Sequence, residues 1–175
     1  MKRIILMLVI IVFASVSFSF AGEPVKIPAR DTYKHLKRDS VEFKEIKAVF
    51  DNLIVLAKKG DIEGIMQNFS KNYINSGREA NDAKKQWQTI INNFTNLELA
   101  HPIFSIEVSG NFARMRCEGT LMGKPKNPIP GEIEESIIID SWSLGAHNII
   151  KEDGKWKILG DQVPFDTGRT FHPLF

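Results

Sequence analysis

Two ionisable residues in one apolar stretch, Asp140 and His147, are the pair best suited to acid–base chemistry. Asp140 follows three consecutive isoleucines and precedes a tryptophan by two positions. Burial disfavours the charged form of a carboxyl group, so an inward-facing Asp140 is a candidate acid or base. Two alternatives remain open: the side chain faces solvent, or it pairs with Arg114 or Arg116 on a neighbouring strand.

The relative position of the two candidates depends on strand geometry. His147 lies seven residues after Asp140, so simple alternation places them on opposite faces of a strand. A β-bulge near Gly145 would return them to one face. A two-residue turn in the following hairpin would put His147 on the same face as Trp156 and Ile158, and a three-residue loop would not.

Amphipathic rings and the remaining reactive groups complete the set of candidates. Tyr73 and Trp142 combine an aromatic surface with a hydrogen-bond donor, which suits a ligand pocket.

Cys117 is the single cysteine and falls on an apolar strand face, which predicts a buried, inert thiol and no disulfide. We expect no metal site and no cofactor, because the histidines show no metal-ligand spacing (His35, His101, His147 and His172).

The N-terminus predicts export. Lys2 and Arg3 precede an apolar run over residues 4–13, and small residues follow up to Ala21. This is the pattern of a signal peptide cleaved after Ala21, so residues 1–21 would be removed and the location is periplasmic or secreted. The alternative is an uncleaved anchor, but the run is shorter than the roughly 20 residues of a membrane-spanning helix.

Removal of residues 1–21 makes the remaining chain neutral. The whole chain has 23 basic and 21 acidic residues, and the signal peptide contains two of the basic ones and no acid. A neutral domain lacks the basic surface that binds nucleic acid. It also lacks a basic patch that would hold it on an anionic membrane.

Hydrophobic periodicity predicts an α+β domain over residues 41–165, after a linker or lead-in at 22–40 and before a tail at 166–175. Three helices come first: one starts with Asp39 and Glu42 in a capping-box-like pattern, a second is capped by Asp61, and a third extends to Leu97. Alternating strands follow, predicted at residues 102–108, 112–122, 133–151 and 155–163. Helices followed by antiparallel strands favour helices packed on one face of a sheet.

Two sequence segments resemble the SnoaL-like, nuclear transport factor 2-like superfamily. At one end, residues 57–61 lead through Phe69 and Tyr73 to a Ser-Gly pair at 76–77. At the other, residues 151–158 contain an Asp-Gly turn followed by Trp-x-Ile. The resemblance covers residues 41–163. It implies three helices packed on a strongly curved, mostly antiparallel sheet, a cystatin-like cone with an apolar pocket at its mouth.

The superfamily includes ketosteroid isomerases, dehydratases, polyketide cyclases and noncatalytic binding modules, so the resemblance implies no single activity. Isomerase-type members carry an aspartate base at the end of the first strand. The matching place here is Asn75-Ser76, and neither residue can act as that base.

Two functions are therefore expected. The first is an exported binding or accessory module that holds a small apolar ligand with Tyr73, Trp142, Asp140 and His147, or forms a homodimer through the open sheet face. The second is a cofactor-independent cyclase, isomerase or dehydratase with a small apolar substrate, Asp140 and His147 as acid and base, and Tyr73 as an orienting donor. A direct acid–base pair needs both side chains in one cavity, within about 7 Å.

Overall fold

The computed structural model describes residues 24–128, 135–170 and 172. The predicted signal peptide at 1–21 lies outside these residues, as do four residues of the predicted tail (171 and 173–175). Within the described part of the chain, no helix combines the length and apolar character that crossing a membrane requires.

Three α-helices and one short 3-10 turn make up the helical layer of the described chain. The 3-10 turn is Arg30–Thr32, and the helices are α1 (Val41–Lys58), α2 (Ile62–Met66) and α3 (Ala80–Asn93).

Side-chain caps set the start of α1 and α2. The backbone N–H of Phe43 donates to Ser40 Oγ at 3.2 Å, so Ser40 caps α1. The predicted start at Asp39 was therefore one residue early. Asp61 caps α2 as predicted, since its Oδ1 accepts from Gly64 N at 2.8 Å.

The third helix is shorter than predicted. It ends at Asn93, because Phe94 has extended backbone angles (φ −125°, ψ 153°). The following residues form strand β4, Phe94–Ala100. The pairing of β4 with β6 shifts register between Thr95 and Glu98, and Leu97 between them is buried. The spacing of apolar residues in the sequence therefore runs on from the helix into the strand. Spacing alone could not separate the two elements.

Within the described residues, six strands form one antiparallel sheet and two short strands form a hairpin. The hairpin strands are β2 (Ile74–Asn75) and β3 (Arg78–Glu79). The sheet strands are β1 (Lys34–His35), β4 (given above), β5 (Ile103–Ser109), β6 (Phe112–Pro125), β7 (Ile137–Glu152) and β8 (Lys155–Ile158). Their order in the sheet is β1-β5-β6-β7-β8, and β4 also pairs with β6.

The lead-in predicted at 22–40 contributes to the sheet. Lys34 and His35 form β1 and pair with Val108 and Glu107 of β5. Leu36 N then donates to Ile106 O at 2.9 Å. This part of the lead-in is therefore ordered by sheet hydrogen bonds.

Strand β6 carries the alternation that the sequence predicts. Its inward positions are fully buried and pack in one cluster with residues of α1 and α3. Cys117 belongs to this set, and burial raises the pKa of its thiol to about 11. The predicted inert thiol is confirmed as a buried, free cysteine. The buried side chains of β6 are Ala113, Met115, Cys117 and Leu121.

The hairpin between β7 and β8 has the two-residue form. Asp153 and Gly154 both have positive φ, and the flanking residues pair directly across the turn. The register pairs Ile149 with Ile158. His147 lies two residues before Ile149, so it belongs to the inward side of the strand.

The cap of α1 gives a stability prediction. Replacing Ser40 by Ala should lower the free energy of unfolding by about 1 kcal/mol, because the amide of Phe43 loses its acceptor. Asp39→Ala is the control and should change it by less than about 0.5 kcal/mol. Urea denaturation followed by circular dichroism measures both variants. A larger loss for Asp39→Ala than for Ser40→Ala would contradict this cap.

Candidate functional site

An extra residue in β7 shapes the candidate site. Cys117 of β6 pairs with Gly145, whereas Gly119, two residues further along β6, pairs with Trp142. Between these two pairs, β7 has two residues where β6 has one, which is a β-bulge. The structure thus has the bulged form of the strand next to Gly145.

The bulge puts both sequence-predicted candidates on the inner face. Asp140 pairs with Leu121, and His147 pairs with Met115, two fully buried residues of β6. These partners are six positions apart, about 20 Å along an extended strand. Asp140 and His147 therefore share a face but lie too far apart for the expected direct pair.

The direct partner of Asp140 is His172, from the predicted tail. His172 Nδ1 lies 2.9 Å from Asp140 Oδ1 and 3.1 Å from Oδ2. Only 10% of the Asp140 side chain and 23% of the His172 side chain are exposed. The sequence left two alternatives open for Asp140, solvent exposure and pairing with an arginine of β6. Neither describes this side chain. The contact directs Nε2, the other ring nitrogen, away from the carboxylate.

Aromatic rings surround this pair. The indole of Trp142 covers Gly119 so closely that any side chain at position 119 would overlap it. The Trp142 ring lies 6.1 Å from the His172 ring and 5.7 Å from the His101 ring, measured between centroids. His101 in turn packs 5.2 Å from Phe50 of α1. The predicted ligand residue Trp142 therefore joins the core to the Asp140–His172 pair.

His147 and His101 are held in the neutral form. Burial lowers the pKa of His147 to about 3, and the nearby charges of His101 and His172 contribute to the same shift. Burial also lowers the pKa of His101 to about 4. His147 leans over Gly145, where a Cβ would lie only 2.6 Å from its Nε2. At neutral pH both rings are uncharged hydrogen-bonding groups.

Two adjoining cavities open onto His147 and His172. The larger, of about 730 Å³, is lined by residues that include Pro102, Glu118 and Trp142. The smaller, of about 490 Å³, is lined by residues that include Asn75, Asp161 and Arg169. Four lining residues belong to both cavities: Gly145, His147, Thr170 and His172.

The smaller cavity is lined by Asn75 and Ser76, the place where the sequence resemblance would put the base of an isomerase-type protein. Ser76 lies there and donates its backbone N–H and its hydroxyl to the two carboxylate oxygens of Asp161, both at 2.8 Å. Val163 N also donates to Asp161 Oδ1 at 2.9 Å. A carboxylate therefore reaches this place from the segment after β8, held by three hydrogen bonds.

Tyr73 acts on the site only through a neighbour. It is 2% exposed and packs edge-on against Phe69 at 5.0 Å, and it is not among the residues that line the two cavities. Burial raises the pKa of its hydroxyl, which is hydrogen-bonded to the side chain of Asn75. Tyr73 therefore positions Asn75, which lines the smaller cavity, and does not itself face a ligand.

His172 and His101 are site residues that sequence reasoning missed. His172 lies in a tail without periodicity, and the lack of metal-ligand spacing gave it no role. His101 lies between β4 and β5, and no pattern marks it as inward-facing. Among the described residues, no group of histidine, cysteine and carboxylate side chains is arranged to hold a metal ion.

Comparison with known proteins supports the fold. No family model matches the chain, and no curated protein matches its sequence. A solved protein of Novosphingobium aromaticivorans, assigned as a scytalone dehydratase, is similar at a TM-score of 0.54 with 15% identity, over 75% of this chain and 96% of that one. A Streptomyces avermitilis protein assigned as an NTF2-like dehydratase gives 0.52 with 11% identity, over 68% and 92%.

A third structure, a Mycobacterium tuberculosis protein of unknown function, gives a TM-score of 0.54 with 18% identity, over 69% of this chain and 73% of that one. The chain has the SnoaL-like, nuclear transport factor 2-like fold. The α+β cone expected from the sequence is thereby confirmed. The Asp140–His172 pair and both cavities thus belong to an NTF2-like cone, whose inner sheet face carries Trp142 and His147.

The two neutral histidines give a pH prediction. The unfolded chain binds protons at these side chains below their ordinary pKa of 6.5, whereas the folded protein binds them only near pH 4 and pH 3. Stability from their neutral burial is present above pH 6.5 and is lost as the pH falls toward those values. From about pH 7.5 to about pH 5 the loss should be about 2 kcal/mol for each histidine.

Urea denaturation at the two pH values tests this for His147→Gln. This variant should lose less stability on acidification than the parent protein. His35→Gln is the control, since 75% of the His35 side chain is exposed. If the parent and His147→Gln show the same loss, His147 is not held neutral by the fold.

Proposed function

We propose that the protein is a cofactor-independent acid–base enzyme of the lyase or isomerase type, with His172 as the catalytic base. The observation that carries the proposal is the contact of His172 Nδ1 with both oxygens of Asp140, at 2.9 Å and 3.1 Å, beside a cavity of about 730 Å³. Asp140 is a positioning residue in this proposal, because it acts through the imidazole.

The chemistry follows from the orientation of the ring. A carboxylate that accepts from Nδ1–H favours the tautomer with its lone pair on Nε2. That nitrogen can remove a proton from a bound molecule, and Asp140 then stabilises the imidazolium that forms. An oriented His–Asp pair therefore suits proton abstraction.

His147 supplies the complementary group. It lines the same cavity as His172 and stays neutral at physiological pH, because burial lowers its pKa to about 3. A neutral imidazole can donate a hydrogen bond to a carbonyl oxygen without losing its proton. His147 is thus suited to polarise the carbonyl group next to the carbon that loses the proton.

The reaction class is proton removal from a carbon next to a carbonyl group. His172 takes the proton, and the electron pair of the C–H bond forms an enolate. The enolate can expel a β-hydroxyl group, which leaves as water after accepting that proton from the His172 imidazolium, or the imidazolium can return the proton to another carbon. The first outcome is a dehydration, and two similar solved structures carry dehydratase assignments.

A noncatalytic binding module is the second candidate. It is favoured by the uncharged character of His101 and His147 and by the Trp142 indole that lines the larger cavity, which suit an apolar ligand without chemistry. Both candidates place the ligand in the same cavity. They differ in whether His172 exchanges a proton with it.

The proposal includes the compartment. Residues 1–21 have the pattern of a cleavable signal peptide, so we place the enzyme in the periplasm or outside the cell. An exported enzyme without a cofactor needs no supply of nucleotides or reduced coenzymes in that compartment.

Hydrogen exchange at carbon tests the activity even while the natural substrate is unidentified. Proton NMR in D₂O would follow loss of the protons next to the carbonyl group in a panel of small ketones, β-hydroxy ketones and oxo acids. His172→Gln should slow the enzymatic exchange by about 100-fold or more, the usual contribution of a general base. Asp140→Asn should slow it less, because the imidazole remains.

The control is a second histidine–carboxylate pair on the surface. His35 Nε2 lies 3.1 Å from Glu107 Oε1, and His35→Gln should leave the exchange unchanged. Wild-type exchange in His172→Gln would refute the catalytic assignment. Binding of panel compounds without exchange in any protein would favour the binding module.

A further inference from the structure

The two cavities form the two ends of one site. They share Gly145, His147, Thr170 and His172 as lining residues. The tail residues 168–170 line the smaller cavity, and Thr170 and His172 line both. A molecule that reaches His172 from the larger cavity therefore borders directly on the smaller one.

Arg169 brings a guanidinium group to the smaller cavity, which also contains the carboxylate of Asp161. Its side chain is exposed and lines the cavity, and within the described residues it forms no ion pair. The carboxylate of Asp161 in the same cavity is held by Ser76 and Val163 through three hydrogen bonds. The nearest carboxylate along the chain, Asp166, pairs instead with Arg78 at 3.9 Å.

Polar groups on both sides of Arg169 add to this environment. Asn75 and Thr170 line the smaller cavity and can donate hydrogen bonds from an amide and a hydroxyl. A guanidinium group binds a carboxylate through two parallel N–H bonds, which is a stronger contact than a single neutral hydrogen bond. This donor set suits an anionic group with oxygen acceptors.

We propose that the molecule bound at His172 is a small oxo acid, whose carboxylate is held by Arg169 in the smaller cavity. This inference rests on the proposed function, because it takes the carbon next to the carbonyl as the group that faces His172. It adds the substrate class, which the Asp140–His172 pair alone does not specify.

The chain spacing guides the choice of a probe. Arg169 and His172 are three residues apart, so their Cα atoms are at most about 10 Å apart. Both residues line the smaller cavity. We therefore choose a 4-oxo acid, in which a few bonds separate the carboxylate from the carbon next to the carbonyl group.

The test compares 4-oxopentanoate with its uncharged methyl ester. Ligand-observed NMR gives the dissociation constant of each probe, and proton exchange in D₂O gives the rate. Arg169→Gln should weaken binding of the acid by about fivefold, a modest effect because the site is exposed, and should leave the ester unchanged. Arg169→Lys should restore part of the affinity, since it keeps the charge.

Arg116→Gln is the matched control, because Arg116 is an exposed arginine on the outer side of β6. It should change neither probe. Equal effects of Arg169→Gln on acid and ester, or no preference of the parent protein for the acid, would overturn the inference.

The same experiment separates this inference from the proposed function. His172→Gln should slow exchange on both probes by about 100-fold or more while leaving the preference for the acid. If His172→Gln keeps its exchange but Arg169→Gln still weakens the acid selectively, the acid site stands and the catalytic assignment fails. If His172→Gln loses exchange and the acid has no advantage, the catalytic assignment stands and the oxo acid is refuted.

Discussion

The extra residue of β7 between Trp142 and Gly145 is the constraint on which the site depends. Without it, the period of two that buries Met115 and Cys117 would put His147 and Asp140 on opposite faces. The bulge turns the first half of β7, with Asp140 and Trp142, toward the core, while the second half stays in register. Trp142 can then lie over Gly119, the position on β6 that has no side chain.

The inward turn of Asp140 would leave a carboxylate without a partner, and the C-terminal segment supplies one. That segment is anchored before it reaches His172, because Gly77 N donates to Val163 O at 2.8 Å. Gly77 has a φ of +76°, and a Cβ there would lie 2.7 Å from the backbone of Asp166. Gly77 thus lets the segment pass closely over the β2–β3 turn, which directs it across the cavities to Asp140. Pairing with His172 then offsets the cost of burying the charge.

The sequence predicted those parts of the fold that depend on interactions between residues close together in the chain. Asp61 caps a helix, a hairpin turn lies at residues 153–154, and β6 alternates as expected. The start of β4 and the role of His172 could not be predicted, because each depends on contacts between distant segments. Phe94 follows helical spacing and still begins a strand, since it pairs with Pro125. His172 has no periodic neighbours, and only the folded chain brings it to Asp140.

The tautomer of His172 tests the central claim most directly. Nitrogen-15 NMR of the two ring nitrogens distinguishes a proton on Nδ1 from one on Nε2, in the whole protein at neutral pH. We predict that the neutral form of the ring carries its proton on Nδ1, held by Asp140, and that Asp140→Asn shifts the population toward Nε2–H. A ring with its proton on Nε2 in the parent protein, or a tautomer that does not respond to Asp140→Asn, would contradict it.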